Sequence, residues 1–242
     1  MNDIAIRIEG LCKNYPGRGV LREINLTIDE GECTGLIGVN GAGKTTLMKC
    51  MLDFCAVDAG SIRIFGTDHR RAEARGRIAF LSERFSPPYY LTGRDFLKFT
   101  AALNHFEYDE ERAVRMLATL DLELAALKNP VRQYSRGMGQ KLGLASCFLN
   151  HRDLMLLDEP MSGLDPLGRS ALKKYLATLK QQGRTLFYST HLLEDVQALC
   201  DRVIILHGGT IRYSGAVNGC CSAFQTDSLE DAYLACIGAE LS

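Results

Sequence analysis

Apolar residues recur along this chain with two different rhythms. Ile4, Ile6 and Ile8, then Ile24, Leu26 and Ile28, alternate with polar neighbours, and Ile62 and Ile64 repeat the pattern. A period of two marks strands with one buried face, so an antiparallel sheet is expected at the start. Leu36-Ile37, Ile78-Ala79-Phe80-Leu81, Leu154-Met155-Leu156-Leu157, Leu186-Phe187-Tyr188 and Val203-Ile204-Ile205-Leu206 are instead short, nearly continuous apolar runs. Parallel strands covered on both faces read this way. Helical spacing in residues 45–52, 172–180 and 192–199 supplies the crossovers, which makes the frame an α/β layer structure.

Between Ser86 and Gln133 the rhythm changes again. Amphipathic helices are expected over residues 94–103 and 109–120, the second opened by a capping Asp109, with no convincing strand between them. This stretch reads as a helical insertion. Asn129-Pro130 breaks the helical pattern, so the following Tyr134-Ser135-Arg136-Gly137-Met138 is expected to start on a loop and feed a new helix. The expected organisation is one unit over 1–242, with a core from 1–84 and 145–242 and a helical subdomain over 85–144.

Composition narrows the class. With 242 residues, 46% hydrophobic and 24% charged, the chain can bury a substantial core. A formal charge of -1 leaves no global basic footprint, so no nucleic-acid partner is expected. The stretch from Met1 to Arg7 lacks a leader pattern, and no apolar run approaches the roughly 20 residues that span a bilayer. A soluble chain is expected. Nine cysteines, an odd number without a C-x-x-C pair, argue against a metal site or a secreted disulfide framework and for reducing cytosol. Cys220-Cys221 reads as spare thiols near a carboxy-terminal turn.

The chemistry begins at Gly38-Val39-Asn40-Gly41-Ala42-Gly43-Lys44-Thr45, which matches G-x-x-x-x-G-K-[ST] between a buried strand and a helix. Glycines let backbone N–H groups wrap phosphate oxygens, and the helix amino terminus adds partial positive charge. The expected nucleotide contacts are Gly38, Asn40, Gly41, Ala42, Gly43, Lys44, Thr45 and Thr46. Lys44 would meet the β- and γ-phosphates, and the Thr45 hydroxyl can ligate Mg²⁺. A second signal is Asp158-Glu159-Pro160 at the carboxyl end of a buried strand, where open α/β sheets place ligands. Asp158 would hold Mg²⁺ through water, and Glu159 is placed to orient or deprotonate the attacking water.

With these motifs the chain resembles the nucleotide-binding subunit of ATP-binding cassette (ABC) proteins over nearly its whole length. Tyr134-Ser135-Arg136-Gly137-Met138 resembles the signature L-S-G-G-Q, Ser162-Gly163-Leu164-Asp165 the D-loop, His191 the switch histidine and Tyr15 the aromatic A-loop residue. The resemblance implies a P-loop nucleotide hydrolase core with a mostly parallel sheet, an antiparallel β subdomain and an inserted helical subdomain. It also implies a homodimer or heterodimer of cassettes that sandwiches two ATP molecules head to tail. Ser135 and Gly137 would then meet the ATP of the opposite subunit, Asp165 would communicate across the interface, His191 would hydrogen-bond the γ-phosphate and Tyr15 would stack on adenine.

Two departures stand out. Arg136 and Met138 replace the usual Gly and Gln of the signature, and Glu83 stands at the Q-loop position, where its carboxylate could approach Mg²⁺. With the short tail 228–233, these features resemble type 2 exporters of drugs, polysaccharides or lipids. Such a chain would sit at the inner face of the cell membrane through separate transmembrane permease subunits. Phe85, Tyr89 and Tyr90, beside Pro87-Pro88, are the expected contacts with that partner. The alternative is a soluble ABC-type ATPase or regulatory module. A translation factor usually joins two cassettes in one chain, a chromosome-maintenance ATPase carries a long coiled coil, and a sensor without turnover would lack Glu159 or His191.

Overall fold

The computed structural model describes residues 3–238. Met1 and Asn2 of the amino-terminal stretch, and residues 239–242 at the far end of the expected unit, lie outside the described residues.

The alternating segments form the long antiparallel strands β1 (Ile4–Tyr15) and β2 (Arg18–Asp29). After β3 (Cys33–Ile37) and helix α1 (Lys44–Met51), the strands β4 (Ala59–Ile64) and β5 (Thr67–Asp68) complete a sheet of order β2-β1-β4-β5. A short helix α2 (Ala72–Arg75) then leads to β6 (Ile78–Leu81). The insertion contributes α3 (Gly93–Leu103) and α4 (Glu110–Thr119), and α5 (Arg136–Leu149) leads back to the sheet. There follow β7 (Leu154–Asp158), α6 (Pro166–Gln181), β8 (Thr185–Thr190), α7 (Leu193–Leu199), β9 (Arg202–His207) and β10 (Thr210–Ala216). Helices α8 (Val217–Phe224) and α9 (Leu229–Ile237) end the described chain.

The second sheet has the order β10-β9-β3-β8-β7-β6, parallel throughout except for the antiparallel β10. Its apolar runs are buried on both faces because successive side chains alternate. Leu154 and Leu156 of β7 face the core shared with α1 and the antiparallel sheet. Met155 and Leu157 face the opposite core, with Leu97 of α3, Leu117 of α4 and Leu172 of α6. Each such leucine contributes about 1.5–3 kcal/mol by leaving water. The helical insertion therefore shares its core with the sheet, and α5 runs continuously through the expected 144/145 division.

The expected cap at Asp109 is made, its carboxylate accepting from the Glu111 and Arg112 N–H groups at 2.8 and 3.2 Å. A cap the sequence reading did not name opens α3, where the Thr92 hydroxyl accepts from the Asp95 N–H at 3.2 Å. Phe85 packs edge-on against Phe96 at 5.7 Å between centroids and is half-buried against the core of the insertion. Tyr89 and Tyr90 remain about 70% exposed, as the expected partner surface requires.

The pattern along the sequence left β10, α8 and α9 unread. Cys220 and Cys221 lie within α8, not at a turn, because Val217, Cys220 and Phe224 repeat at helical spacing and pack against β9.

Parallel register is what assembles the site. Ile37 of β3 stands opposite Thr190 of β8, and Asp158 of β7 stands opposite Ser189. The loops after these three strands therefore emerge side by side.

Candidate active site

The loop after β3 closes on α1 through Gly43, which caps the helix with φ 115°. A Cβ there would lie 2.8 Å from Leu21 Cδ2, so neither the torsion nor the space admits a side chain. The amino terminus of α1 thus faces a cavity of about 700 Å³. Asn40, Gly41, Gly43, Lys44, Thr45 and Thr46 line one side of it. Gly38 and Ala42 are buried behind them.

Across the cavity stand Asp158, Glu159 and His191. The Thr45 hydroxyl donates to Asp158 Oδ2 at 2.7 Å. Lys44 Nζ donates to the Gly38 carbonyl at 2.6 Å and lies 3.7 Å from Glu159 Oε1. His191 reaches Glu159 Oε2 through Nδ1 at 2.8 Å, and because a carboxylate only accepts, this nitrogen carries the hydrogen. Lys44 and Glu159 are both buried, whereas the His191 side chain is 62% exposed at the rim. A cation, two carboxylates and an imidazole therefore meet around a helix amino terminus. Such a cluster can bind a polyphosphate, orient water against it and hold a proton.

The Thr45 hydroxyl and Asp158 carboxylate form a pair of hard oxygen donors at the cavity edge. That donor set fits Mg²⁺, which takes oxygen ligands and keeps positions for phosphates and water. Glu83 is exposed but lines the same cavity, beside Arg84.

Besides the buried Gly38 and Ala42, four expected residues lie outside the lining: Tyr15, Ser135, Gly137 and Asp165. Tyr15 ends β1 at 43% exposure, with Lys13 Nζ 5.2 Å from its ring centroid. Ser135 caps α5, accepting the Met138 N–H at 3.2 Å. A Cβ on Gly137 would stand 2.8 Å from the Gly163 carbonyl oxygen, so the signature peptide and the loop after β7 touch through backbone.

That contact is braced by one face of α5. Arg136 donates to Ser162 Oγ at 2.9 Å, Gln140 donates to the Pro160 carbonyl at 3.2 Å, and Lys141 Nζ lies 3.5 Å from Asp165 Oδ1. Lys141 also donates to the Asp121 carbonyl at 2.6 Å, which ties the brace to the helical insertion. Asp165 caps α6 by accepting the Gly168 N–H at 3.0 Å. That hydrogen bond, followed by the Lys141 charge, holds the Asp165 carboxyl below the usual carboxylate range.

Sequence reasoning missed Arg18, Val20 and Ser189, and named Ser162 only within the D-loop. Arg18, Val20 and Ser162 line the cavity. Ser189 sits beneath it, where its hydroxyl donates to Asp158 Oδ1 at 2.5 Å and accepts the Glu159 N–H at 2.9 Å. Its signal was a polar residue in an otherwise apolar strand, which a buried position tolerates only with partners.

Fold and cavity together define a P-loop nucleotide-binding protein of the α/β class. The family model for "ABC transporter" matches residues 21–162. An uncharacterized ABC transporter ATP-binding protein of Synechocystis is 38% identical over 201 residues, 81% of this chain and 56% of that protein. The lantibiotic transport ATP-binding protein SrtF of Streptococcus pyogenes is 33% identical, over 88% of this chain and 93% of its own length. A solved structure of an ATP-binding subunit of an ABC transporter superposes with TM-score 0.84 at 29% identity, covering 96% of this chain and 99% of the other. This chain belongs to the ABC transporter family. It spans less than two thirds of the first curated relatives, 56% of one and 60% of another.

Proposed function

We propose that this chain binds and hydrolyses ATP to power a membrane transport system, pairing with a second cassette and with separate permease subunits. The observation that carries the reading is the convergence of Lys44, Thr45, Asp158, Glu159 and His191 on one cavity at the amino terminus of α1.

Each residue has a task that its position supports. The loop N–H groups and Lys44 bind the phosphates, the Lys44 ammonium turning from the Gly38 carbonyl towards the incoming charge. Thr45 and Asp158, with Glu83 at the edge, would hold Mg²⁺, whose charge would neutralise and align the phosphates. Glu159 orients the water and takes its proton, and His191, bonded to that carboxylate at 2.8 Å, steadies it at the rim.

Ser135 and Gly137 lie outside their own chain's cavity, which supports their serving the ATP of a second cassette. Tyr15, at the edge of β1, would stack on adenine, and Asp165 would couple the two cassettes. Exposed Tyr89 and Tyr90, following Pro87-Pro88, form the surface proposed for the permease. Similarity to a lantibiotic transport protein supports a substrate moved across a membrane. The signature form, Glu83 and the short tail favour export, with the chain held at the cytoplasmic face by its permease.

Phosphate release from Mg²⁺-ATP tests the reading. The unaltered chain should turn over, and Glu159→Gln should bind ATP normally while losing about 100-fold or more in rate. Undiminished hydrolysis by the variant would remove Glu159 from its role.

A further inference from the structure

We infer that Ser189 is a positioning residue for hydrolysis, acting through the two acids rather than on the nucleotide; this rests on the hydrolytic reading above. The geometry is specific. Ser189 is fully buried at the end of β8, directly opposite Asp158 in the parallel register. Its single hydroxyl is used twice, as donor to Asp158 Oδ1 at 2.5 Å and as acceptor of the Glu159 N–H at 2.9 Å.

The two bonds fix different things. Asp158 is only 1% exposed, and its other oxygen, Oδ2, accepts from Thr45 at 2.7 Å. Ser189 and Thr45 therefore each hold one oxygen of the carboxylate, which fixes its orientation. Glu159 is held in the left-handed region at φ 49°, a conformation costly for a residue with a Cβ. The Ser189 bond to its amide is a restraint that keeps the chain in that bend, and the bend aims the Glu159 carboxylate at Lys44 and His191. One hydroxyl thus sets the orientation of the metal-binding acid and the backbone of the water-activating acid together.

Replacing Ser189 with Ala removes both bonds, leaves a buried carboxylate oxygen and an amide without this partner, and changes the packing by one oxygen atom. Ligand contacts along the phosphate loop are untouched. The expected result for Ser189→Ala is a fall in kcat of at least about tenfold with KM nearly unchanged and the melting temperature lowered by only several degrees, so that the chain stays folded at the assay temperature. Ser189→Thr, which keeps the hydroxyl, should restore most of the rate. Amide hydrogen exchange at Glu159 reads the same tie without turnover and should accelerate in the Ala variant alone.

Full activity in Ser189→Ala, or unaltered Glu159 exchange, would overturn the inference. So would a loss that follows melting temperature or KM in proportion, because that pattern belongs to a general packing role. An unaltered chain that hydrolyses no ATP counts against the proposed function instead, and the Glu159 exchange measurement still decides the Ser189 tie.

Discussion

The phosphate cavity and the signature edge are built from the same kinds of residue but finished differently. In the cavity, Lys44, Thr45, Asp158, Glu159, Ser189 and His191 bond to one another across the ends of β3, β7 and β8. At the signature edge, Ser135 and Arg136 are exposed, and their structural bonds run sideways into α5 and the loop after β7. One region is organised to receive a ligand within this chain. The other is a face braced through Arg136, Gln140 and Lys141, whose helix amino terminus lies outside the lining of its own cavity. The difference teaches that bracing and completeness are separate properties of a site.

Three changes separate the two regions. The largest effect is expected from Lys44→Ala, which removes the buried cation facing the phosphates. Nucleotide affinity should fall by about 100-fold, since charge-assisted hydrogen bonds contribute about 1.5–3 kcal/mol. Fluorescent-nucleotide titration measures it, and retained affinity would place the phosphates elsewhere. Ser135→Ala should behave oppositely, leaving the affinity of the single chain for ATP intact while hydrolysis drops by about tenfold. A matching loss of affinity would mean that Ser135 serves its own cavity. Part of any stability change, about 1 kcal/mol, would come from the lost cap on α5.

The smallest effect concerns acid stability of the brace. Asp165 titrates below its unfolded value because of the Gly168 N–H and Lys141. Its capping contribution is therefore complete above the unfolded carboxylate range and is lost as pH falls through the lowered folded value. Melting temperature should decline less steeply at acid pH in Asp165→Asn than in the parent. Parallel curves would show that this carboxylate does not sense the brace.

Much of the cavity was legible because its motifs combine local pattern with local chemistry. The loop 38–45 follows a buried strand and opens a helix, and Asp158-Glu159 ends a run whose five residues are all buried. The caps at Asp109 and Ser135 follow equally local rules. What stayed hidden depends on register between distant strands. Ser189 gains its meaning only because β8 lies beside β7 with Ser189 opposite Asp158. Arg18 reaches the cavity only because the β1–β2 turn folds over the phosphate loop, where its guanidinium is 3.5 Å from the Gly41 carbonyl. Phe85 shows the converse: an aromatic beside a Pro-Pro turn resembles a surface contact, while Gly143 of α5 makes room for it against the core. The same helix makes the signature departure at Arg136 intelligible as a tie to Ser162 rather than a lost phosphate contact.

The central claim is that this chain holds one phosphate cavity and one signature edge, and that each cavity is completed by the signature edge of another copy or a related cassette. Mixing Lys44→Ala chains with Ser135→Ala chains tests it most directly by phosphate release. In a head-to-tail pair of the two variants, one composite site carries both defects and the other carries none. The account predicts that the mixture hydrolyses ATP faster than the sum of the two variants measured apart. A rate equal to that sum, under conditions where the unaltered chain forms an ATP-dependent dimer, would contradict it.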